Sequence, residues 1–334
     1  MVPARNEEPV IRACVESLCN QSYPDFEVIV LDDNSTDATF EILTKLQATN
    51  PWLSVIRGKE PPDGWIGKPW ACHQLSKAAS GEILIFTDAD TVHAPDMLAS
   101  TVSFRNEHSL DMFSLIPHEI MGTWSEQLIL PLVHFLYFCY LPNTWILQRK
   151  EVKYSAANGQ FIMFTRQAYS RIGGHETVKD NIVEDVFLAK RVKEEGMRLA
   201  LADGTSFVTC RMYTSLHEVF RGFSKNFFAG MGYSLPLMIL FQLHFLLLFV
   251  APLPIALWSA LHGNFSVAWF ILPVVQYILA TLMRLVITIR FAMPIVQAFA
   301  HPISVLFGMA IGVNAVRWAY SKHGSQWKGR SYVR

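Results

Sequence analysis

Two kinds of hydrophobic pattern divide this chain. In the first part, short apolar runs alternate with stretches of helical period. Phe26–Leu31 is rich in β-formers and ends in polar residues. Asp37–Thr49 has helical spacing, with Asp37 placed to start it. Trp52–Ile56 reads as a strand and Pro69–Ala79 as a helix. Glu82–Thr87 is nearly continuous in apolar character, as a buried parallel strand should be. Pro95–Arg105 is helical with proline in its first turn, and Met112–Ile116 is a further strand. This alternation predicts an open, doubly wound α/β sheet. Ligands of such sheets sit outside the carboxyl ends of the strands. The pairs Asp32/Asp33 and Asp88/Asp90 fall at two such ends.

Beyond residue 230 the pattern changes to long apolar runs. Between Leu235 and Val316 the only charged residues are Arg284 and Arg290. A membrane-crossing helix needs about 20 mostly apolar residues. Leu235–Leu261, Phe265–Ile289 and Ile295–Val316 are candidates. Three in succession, joined by short links, favour membrane spans over buried core helices. Trp124–Leu147 is also apolar, but His134, Pro131, Pro142 and Asn143 interrupt it. An interfacial helix that guides a lipid fits it better than a span, which stays open as the alternative.

Charge sharpens the division. All 28 acidic residues lie at or before Glu218, and nine of the 28 basic residues lie beyond it. Residues 1–218 thus carry a formal −9 and residues 219–334 carry +9. The overall neutrality hides a membrane-type asymmetry. Arg5, Glu7 and Glu8 stand where a secretory leader would be apolar. The first strand should precede Pro3, where only Met1 and Val2 are available. Either that strand is cut short or the natural start lies upstream, with room for another membrane helix. Cys14, Cys19, Cys72, Cys139 and Cys210 have no zinc-type spacing and read as reduced, packed thiols.

The candidate chemistry lies in Phe86-Thr87-Asp88-Ala89-Asp90-Thr91. Two carboxylates two residues apart at a strand end suit Mg²⁺ or Mn²⁺, which retain waters and bind substrate phosphates. Alone, the pair is weak evidence, because surface loops produce it by chance. It stands, however, in an ordered set. The set comprises P-A-R-N-E-E from Pro3, D-D-N-S-T-D from Asp32, G-W-I-G-K-P-W-A-C from Gly64, F-T-D-A-D-T, N-G-Q-F-I-M-F from Asn158, G-G-H from Gly173, V-E-D-V from Val183 and W-K-G-R from Trp327. Together these resemble membrane-bound family 2 glycosyltransferases, and most nearly the bacterial branch acting on apolar lipids such as carotenoids or hopanoids.

The resemblance implies a GT-A catalytic domain over residues 1–230, transmembrane helices over 231–320 and a basic cytosolic tail over 321–334. The implied donor is a nucleotide sugar, usually a UDP-sugar. Pro3, Ala4 and Glu7 belong to the donor loop, with Glu7 at the ribose; a charge at a helix N-terminus is the plainer reading of Glu7. Asp33 would accept from the uracil N–H, with Asp32 supporting the loop, although Asp-Asn-Ser is also turn chemistry. Lys68 would meet the base or diphosphate. Asp90 is the implied direct metal ligand, with Asp88 shared between metal and donor. Asp185 is the implied general base and Glu184 its orienting neighbour, against the plainer reading of an acidic helix start. Asn158, Gly159, Gly174 and His175 would shape the acceptor pocket, with a structural role for His175 equally open. The family's Q-x-x-R-W is absent. Arg330 in the tail would substitute at the diphosphate, or else meet anionic lipid.

The expected partners are therefore a donor nucleotide sugar, a lipid acceptor and a membrane, with no nucleic acid. The expected reaction is metal-dependent, inverting transfer on the cytoplasmic face. Polyprenol-phosphate glycosylation and non-catalytic nucleotide-sugar binding are the alternatives. A processive synthase lacks its usual motif here, and a transporter would need more spans. Three spans would export the tail, yet Arg317, Lys322, Lys328, Arg330 and Arg334 favour the cytosol. One segment is therefore expected not to cross, and Ile295–Val316, broken at His301-Pro302, is the first candidate.

Overall fold

A computed structural model describes residues 1–321 and the backbone of 325–327 and 330–332. It falls into two compact units. The first comprises residues 1–120 and 141–212, and the second residues 121–140 and 213–334.

The first unit begins with β1 (Val2–Ala4), α1 (Ile11–Cys19), β2 (Val28–Asp32), α2 (Thr39–Gln47) and β3 (Leu53–Arg57). The three strands are parallel in the order β1-β2-β3. The strand expected to end before Pro3 instead runs through it to Ala4. β2 is buried at all five positions, and successive side chains serve opposite faces. Val28 and Val30 pack with Ile11, Val15 and Leu43, while Ile29 and Leu31 pack with Ala71 and Leu75. The latter pair belongs to α3 (Gly67–Ala78).

The chain continues through β4 (Ile83–Thr87), β5 (Thr91–His93), α4 (Met97–Glu107), β6 (Met112–Ile116) and β7 (His118–Glu119). It then leaves this unit for α5 (Trp124–Tyr140) and returns with α6 (Asn143–Gln148), β8 (Phe161–Thr165), α7 (Arg166–Arg171), α8 (Glu184–Glu194), β9 (Leu199–Asp203) and β10 (Val208–Cys210). Here the sheets are mixed. In the order β4-β8-β6-β9, β8 is antiparallel to both neighbours, and β6 and β9 are parallel. A third sheet has the order β5-β10-β7. The expected alternation of strand and helix is present, but parallel pairing throughout is not, because β8 returns from a distant segment and inserts between β4 and β6. All five cysteines are free thiols.

The second unit is helical. α5 opens with a capping box: Glu126 accepts from the Thr123 backbone N–H, and the Thr123 hydroxyl accepts from the Glu126 N–H. It is followed by α9 (Leu216–Gly230), α10 (Leu235–Phe245), α11 (Pro252–Leu261), α12 (Leu272–Arg290), α13 (Val296–Phe299) and α14 (His301–Ala319). The unit boundary at 212/213 precedes the expected one at 230, because α9 packs through Val219, Phe220 and Phe223 with Leu128, Ile129 and Ile311.

Among the described residues two helices are long and apolar enough to cross a membrane, Val267–Arg290, with 24 residues, and His301–Ala319, with 19, and a pair bent by 118°, Leu216–Gly230 and Leu235–Val250, passes the same test together. The expected span Leu235–Leu261 is two helical stretches, Leu235–Val250 and Pro252–Leu261, separated only by Ala251, which keeps helical backbone angles. The break expected near His301 is present, but Pro302 sits in the first turn of α14 and starts that helix rather than disrupting it. α14 is therefore long enough to cross, although it is the less apolar of the two helices. The apolar segment 124–147 is also divided. α5 ends at Tyr140, before Pro142, and α6 belongs to the first unit.

Candidate active site

The first two sequence motifs are zipped together by hydrogen bonds. The Arg5 guanidinium donates to the carbonyls of Asp33 (2.6 Å) and Asn34 (3.3 Å). The Asn6 N–H donates to the Ser35 hydroxyl, and the Thr36 N–H donates back to the Asn6 side chain at 2.8 Å. The Glu7 N–H reaches the Thr39 hydroxyl at 2.8 Å, and the Glu8 N–H reaches Asp37. Asn6 and Asn34 both have φ of +53°, a conformation asparagine tolerates better than most residues. The Asp33 N–H extends the ladder to the Ala4 carbonyl at 2.8 Å. Asp32 and Asp33 are buried at the end of β2. Gly58 passes beside them, since a Cβ there would stand 2.7 Å from Leu31 and 3.2 Å from the Asp32 carbonyl.

The Asp88-Ala89-Asp90 turn is braced from beneath. The Thr87 hydroxyl lies 3.0 Å from that of Thr91 and 2.7 Å from the Gln160 carbonyl. The Thr91 hydroxyl donates to the Asp88 carbonyl. His93 Nε2 lies 3.1 Å from the Thr87 hydroxyl, and burial lowers this histidine to about 3, so the ring is neutral. These bracing residues were not anticipated from sequence. The alternation of Thr, Asp and His around the turn was the available signal.

Above this turn the chain brings distant charges together. Lys68 Nζ contacts Asp88 Oδ1 at 2.7 Å and Glu184 Oε1 at 3.0 Å. Burial alone would depress this amine, but Asp88 and Glu184 reverse the effect and raise its pKa well above the ordinary lysine value. Asp185 lies in the first turn of α8. Its Oδ2 accepts from the Gly159 N–H at 2.9 Å, and its Oδ1 accepts from the Val186 N–H at 2.8 Å. Burial first, and then the charge of Glu184, raise its pKa to about 7, against the opposing pull of Lys68 and the two backbone donors. Gly159 is dictated by closeness, since a Cβ would stand 3.0 Å from Lys68 Nζ and 3.5 Å from Asp185 Oδ2. Pro3, Cys72 and Phe86 line a void of about 10 Å³ beside Lys68, Asp88 and Glu184.

The G-G-H motif is placed differently. Gly174 has φ of +56°, and a Cβ there would lie 2.5 Å from the Tyr169 ring. His175 is buried, with Nδ1 2.8 Å from the Tyr169 hydroxyl and its ring edge-on to Phe86. Burial, then Lys68, lower this histidine to about 3. Tyr169 thus closes over both residues, as the structural reading of His175 expects, and His175 with Gly159 also lines the void beside Lys68, Asp88 and Glu184. Asn158 carries the local turn, its side chain accepting from the Gln160 N–H.

Among the described residues no group of three or more His, Cys, Asp or Glu side chains is arranged to hold a metal ion. The donor set nevertheless fits Mg²⁺ or Mn²⁺, which use one or two carboxylates and take their other ligands from water and substrate phosphate. Asp88 and Asp90 supply such a pair on one short turn. The Arg330 side chain lies outside the described residues.

Residues 1–173 match the profile of glycosyl transferase family 2. The chain belongs to this family. A 4,4'-diaponeurosporenoate glycosyltransferase of Staphylococcus haemolyticus is 27% identical over 248 residues, 71% of this chain and 62% of that protein. A beta-monoglucosyldiacylglycerol synthase of Nostoc sp. is 32% identical over 221 residues, 60% of this chain and 45% of that protein. The chain thus spans less than two thirds of either relative. The mannosyltransferase PcManGT from Pyrobaculum calidifontis, solved with GDP-Man and Mn²⁺, shares the fold with a TM-score of 0.55 at 21% identity, over 92% of this chain and 85% of that one. The first unit is accordingly a family 2 glycosyltransferase domain of GT-A type with mixed sheets.

Proposed function

We propose that this family 2 member transfers a sugar, with inversion, from a nucleotide-sugar donor to a hydroxyl or carboxyl group of an apolar lipid. The observation that carries this reading is Asp185, whose two oxygens are oriented by backbone N–H groups and whose pKa is raised to about 7 beside the Lys68–Asp88–Glu184 cluster. A general base works best with its pKa near the working pH. For a hydroxyl acceptor, Asp185 takes the proton as the oxygen attacks the anomeric carbon; a carboxyl acceptor attacks already ionised, with Asp185 then only positioning it. The bond to the diphosphate breaks on the opposite face, so one displacement inverts the configuration.

Asp32, Asp33 and the Glu7 loop are assigned to the nucleoside, with Pro3 and Ala4 as its floor. Lys68 is assigned to the diphosphate, exchanging a carboxylate partner for phosphate oxygens when donor binds. Asp90 and Asp88 would hold a divalent cation, which would offset charge developing on the leaving diphosphate. Asn158 and Gly159 are assigned to the acceptor side, and Glu184 keeps Lys68 and Asp185 in place. Arg330 remains a proposed diphosphate contact on sequence grounds.

A lipid acceptor is supported by the two apolar helices and by the names of the two relatives, which are a carotenoid-acid and a diacylglycerol glycosyltransferase. The cytoplasmic face is supported by the basic residues from Arg317 onward. The experiment is incubation of membranes containing the protein with labelled UDP-glucose, and in parallel with GDP-mannose, with Mg²⁺ or Mn²⁺. Label should enter an organic-extractable product whose anomeric configuration is opposite to the donor's. A product retaining the donor configuration would refute single displacement.

A further inference from the structure

Within the helical unit a single arginine lacks what a buried charge requires. Arg284 lies on α12, part of an apolar segment long enough to cross a membrane. Its side chain is 0% exposed, and none of its three guanidinium nitrogens has a hydrogen-bond partner among the described residues. It is in no ion pair there. The described part of this unit holds only two acids, Glu126 and Glu218, and residues 219–334 hold none. Glu126 accepts from the Thr123 N–H, and Glu218 from the Thr214 N–H and hydroxyl. Nor does Arg284 reach out to an interface, because its tip is covered. An ionisable side chain so placed is costly and is kept for function or for a partner.

Its surroundings are polar in a pattern. Thr281 and Thr288 stand three residues before and four after Arg284, so all three share one face of α12. Both hydroxyls are buried without partners. His301 of α14 lies within electrostatic reach of Arg284. Both His301 ring nitrogens and the Ser304 hydroxyl, one turn further on, are also buried and unpartnered. Phe135 and Phe249 stand 4.7 and 5.2 Å from the His301 ring. On α12, Leu282, Met283, Val286 and Ile289 are exposed, as expected of a face turned to lipid.

We propose that this cluster binds the anionic headgroup of a lipid, a carboxylate or phosphate. A guanidinium presents a planar fork of donors matched to either group, and the Thr, Ser and His side chains can complete the remaining bonds. A lipid rather than a water-borne anion is favoured because Arg284 is fully buried, His301 is flanked by Phe135 and Phe249, and α12 has an apolar outer face. The inference does not depend on the transfer chemistry proposed above.

The test uses the full chain in neutral detergent, with Tm followed against oleate, dioleoylphosphatidic acid, dioleoylphosphatidylcholine and sodium phosphate. At least one of the two acidic lipids should raise Tm saturably, whereas phosphatidylcholine and inorganic phosphate should not. Arg284→Met should bind that acidic lipid at least tenfold more weakly. Should Arg284→Met not fold, Arg284→Lys carries the test and should weaken binding at least threefold, because an ammonium lacks the fork. Equal binding by wild type and variant, an equal response to inorganic phosphate, or no response to either acidic lipid would each overturn the proposal.

Discussion

In the α/β unit the partly buried charges of the candidate site meet partners supplied by the chain itself. Lys68 is held between Asp88 and Glu184, and each Asp185 oxygen accepts from a backbone N–H. In the helical unit, Arg284 is at least as deeply buried and has no such partner among the described residues. The first arrangement is preorganised, its charges oriented before any ligand arrives and at a cost already offset by the fold. The second is complementary to something the helices do not provide. On the proposed reading, compensated charge marks where the protein acts on a substrate, and uncompensated charge marks where it awaits a ligand.

The largest expected effect lies in the compensated site. Asp185→Asn should reduce transfer by about 10²–10⁴-fold, the usual range for a positioned base, without loss of fold. Single-turnover rates measure it, with a cooperative unfolding transition as the check that the variant is folded. The two regions should then respond oppositely to loss of a cation. Lys68→Met leaves Glu184 buried beside Asp185 without its counter-ion and should cost about 3 kcal/mol, read from denaturant midpoints. Arg284→Met removes an unpaired charge and should leave Tm in lipid-free detergent unchanged or raised. If both variants lose stability alike, the contrast fails.

Gly174→Ala should cost about 2 kcal/mol, since its positive φ and the Tyr169 ring both oppose a side chain. It would test whether the G-G-H motif is structural, through a fall in Tm larger than any fall in kcat.

A further effect is in pH. The folded Asp185 pKa, about 7, lies above its ordinary value near 3.8. Between those values the folded state binds more protons than the unfolded state, so this group's contribution to stability is full below about 4 and is lost as pH rises through 7. Transfer should rise over the window in which stability falls. Asp185→Asn should flatten the stability slope, and an unchanged slope would remove Asp185 as its source.

Much of this was legible in the chain. Met112–Ile116 is a strand at the predicted bounds, and the Ile83–Thr87 strand and Gly67–Ala78 helix lie within a few residues of their predicted positions. Continuous apolar runs and prolines at helix starts are local signals. The insertion of β8 between β4 and β6 was not legible, because its register depends on partners about 50 and 80 residues away. The Asp residues of the site were readable from their motifs. That Lys68 would join Asp88 to Glu184 was not, since nothing local encodes a contact across more than 100 residues. Arg284 stood out as one of two charges in an apolar stretch, but only packing reveals that it is buried while Arg290 lies at the helix end.

The most direct measurement is transfer of labelled sugar from a nucleotide donor into organic-extractable lipid, with wild type and Asp185→Asn side by side in the same membranes. The account predicts label in lipid from wild type and a loss of at least a hundredfold in the variant, both proteins being equally folded. Equal transfer by the two would contradict the assignment of Asp185 as the base and, with it, the central reading of the site.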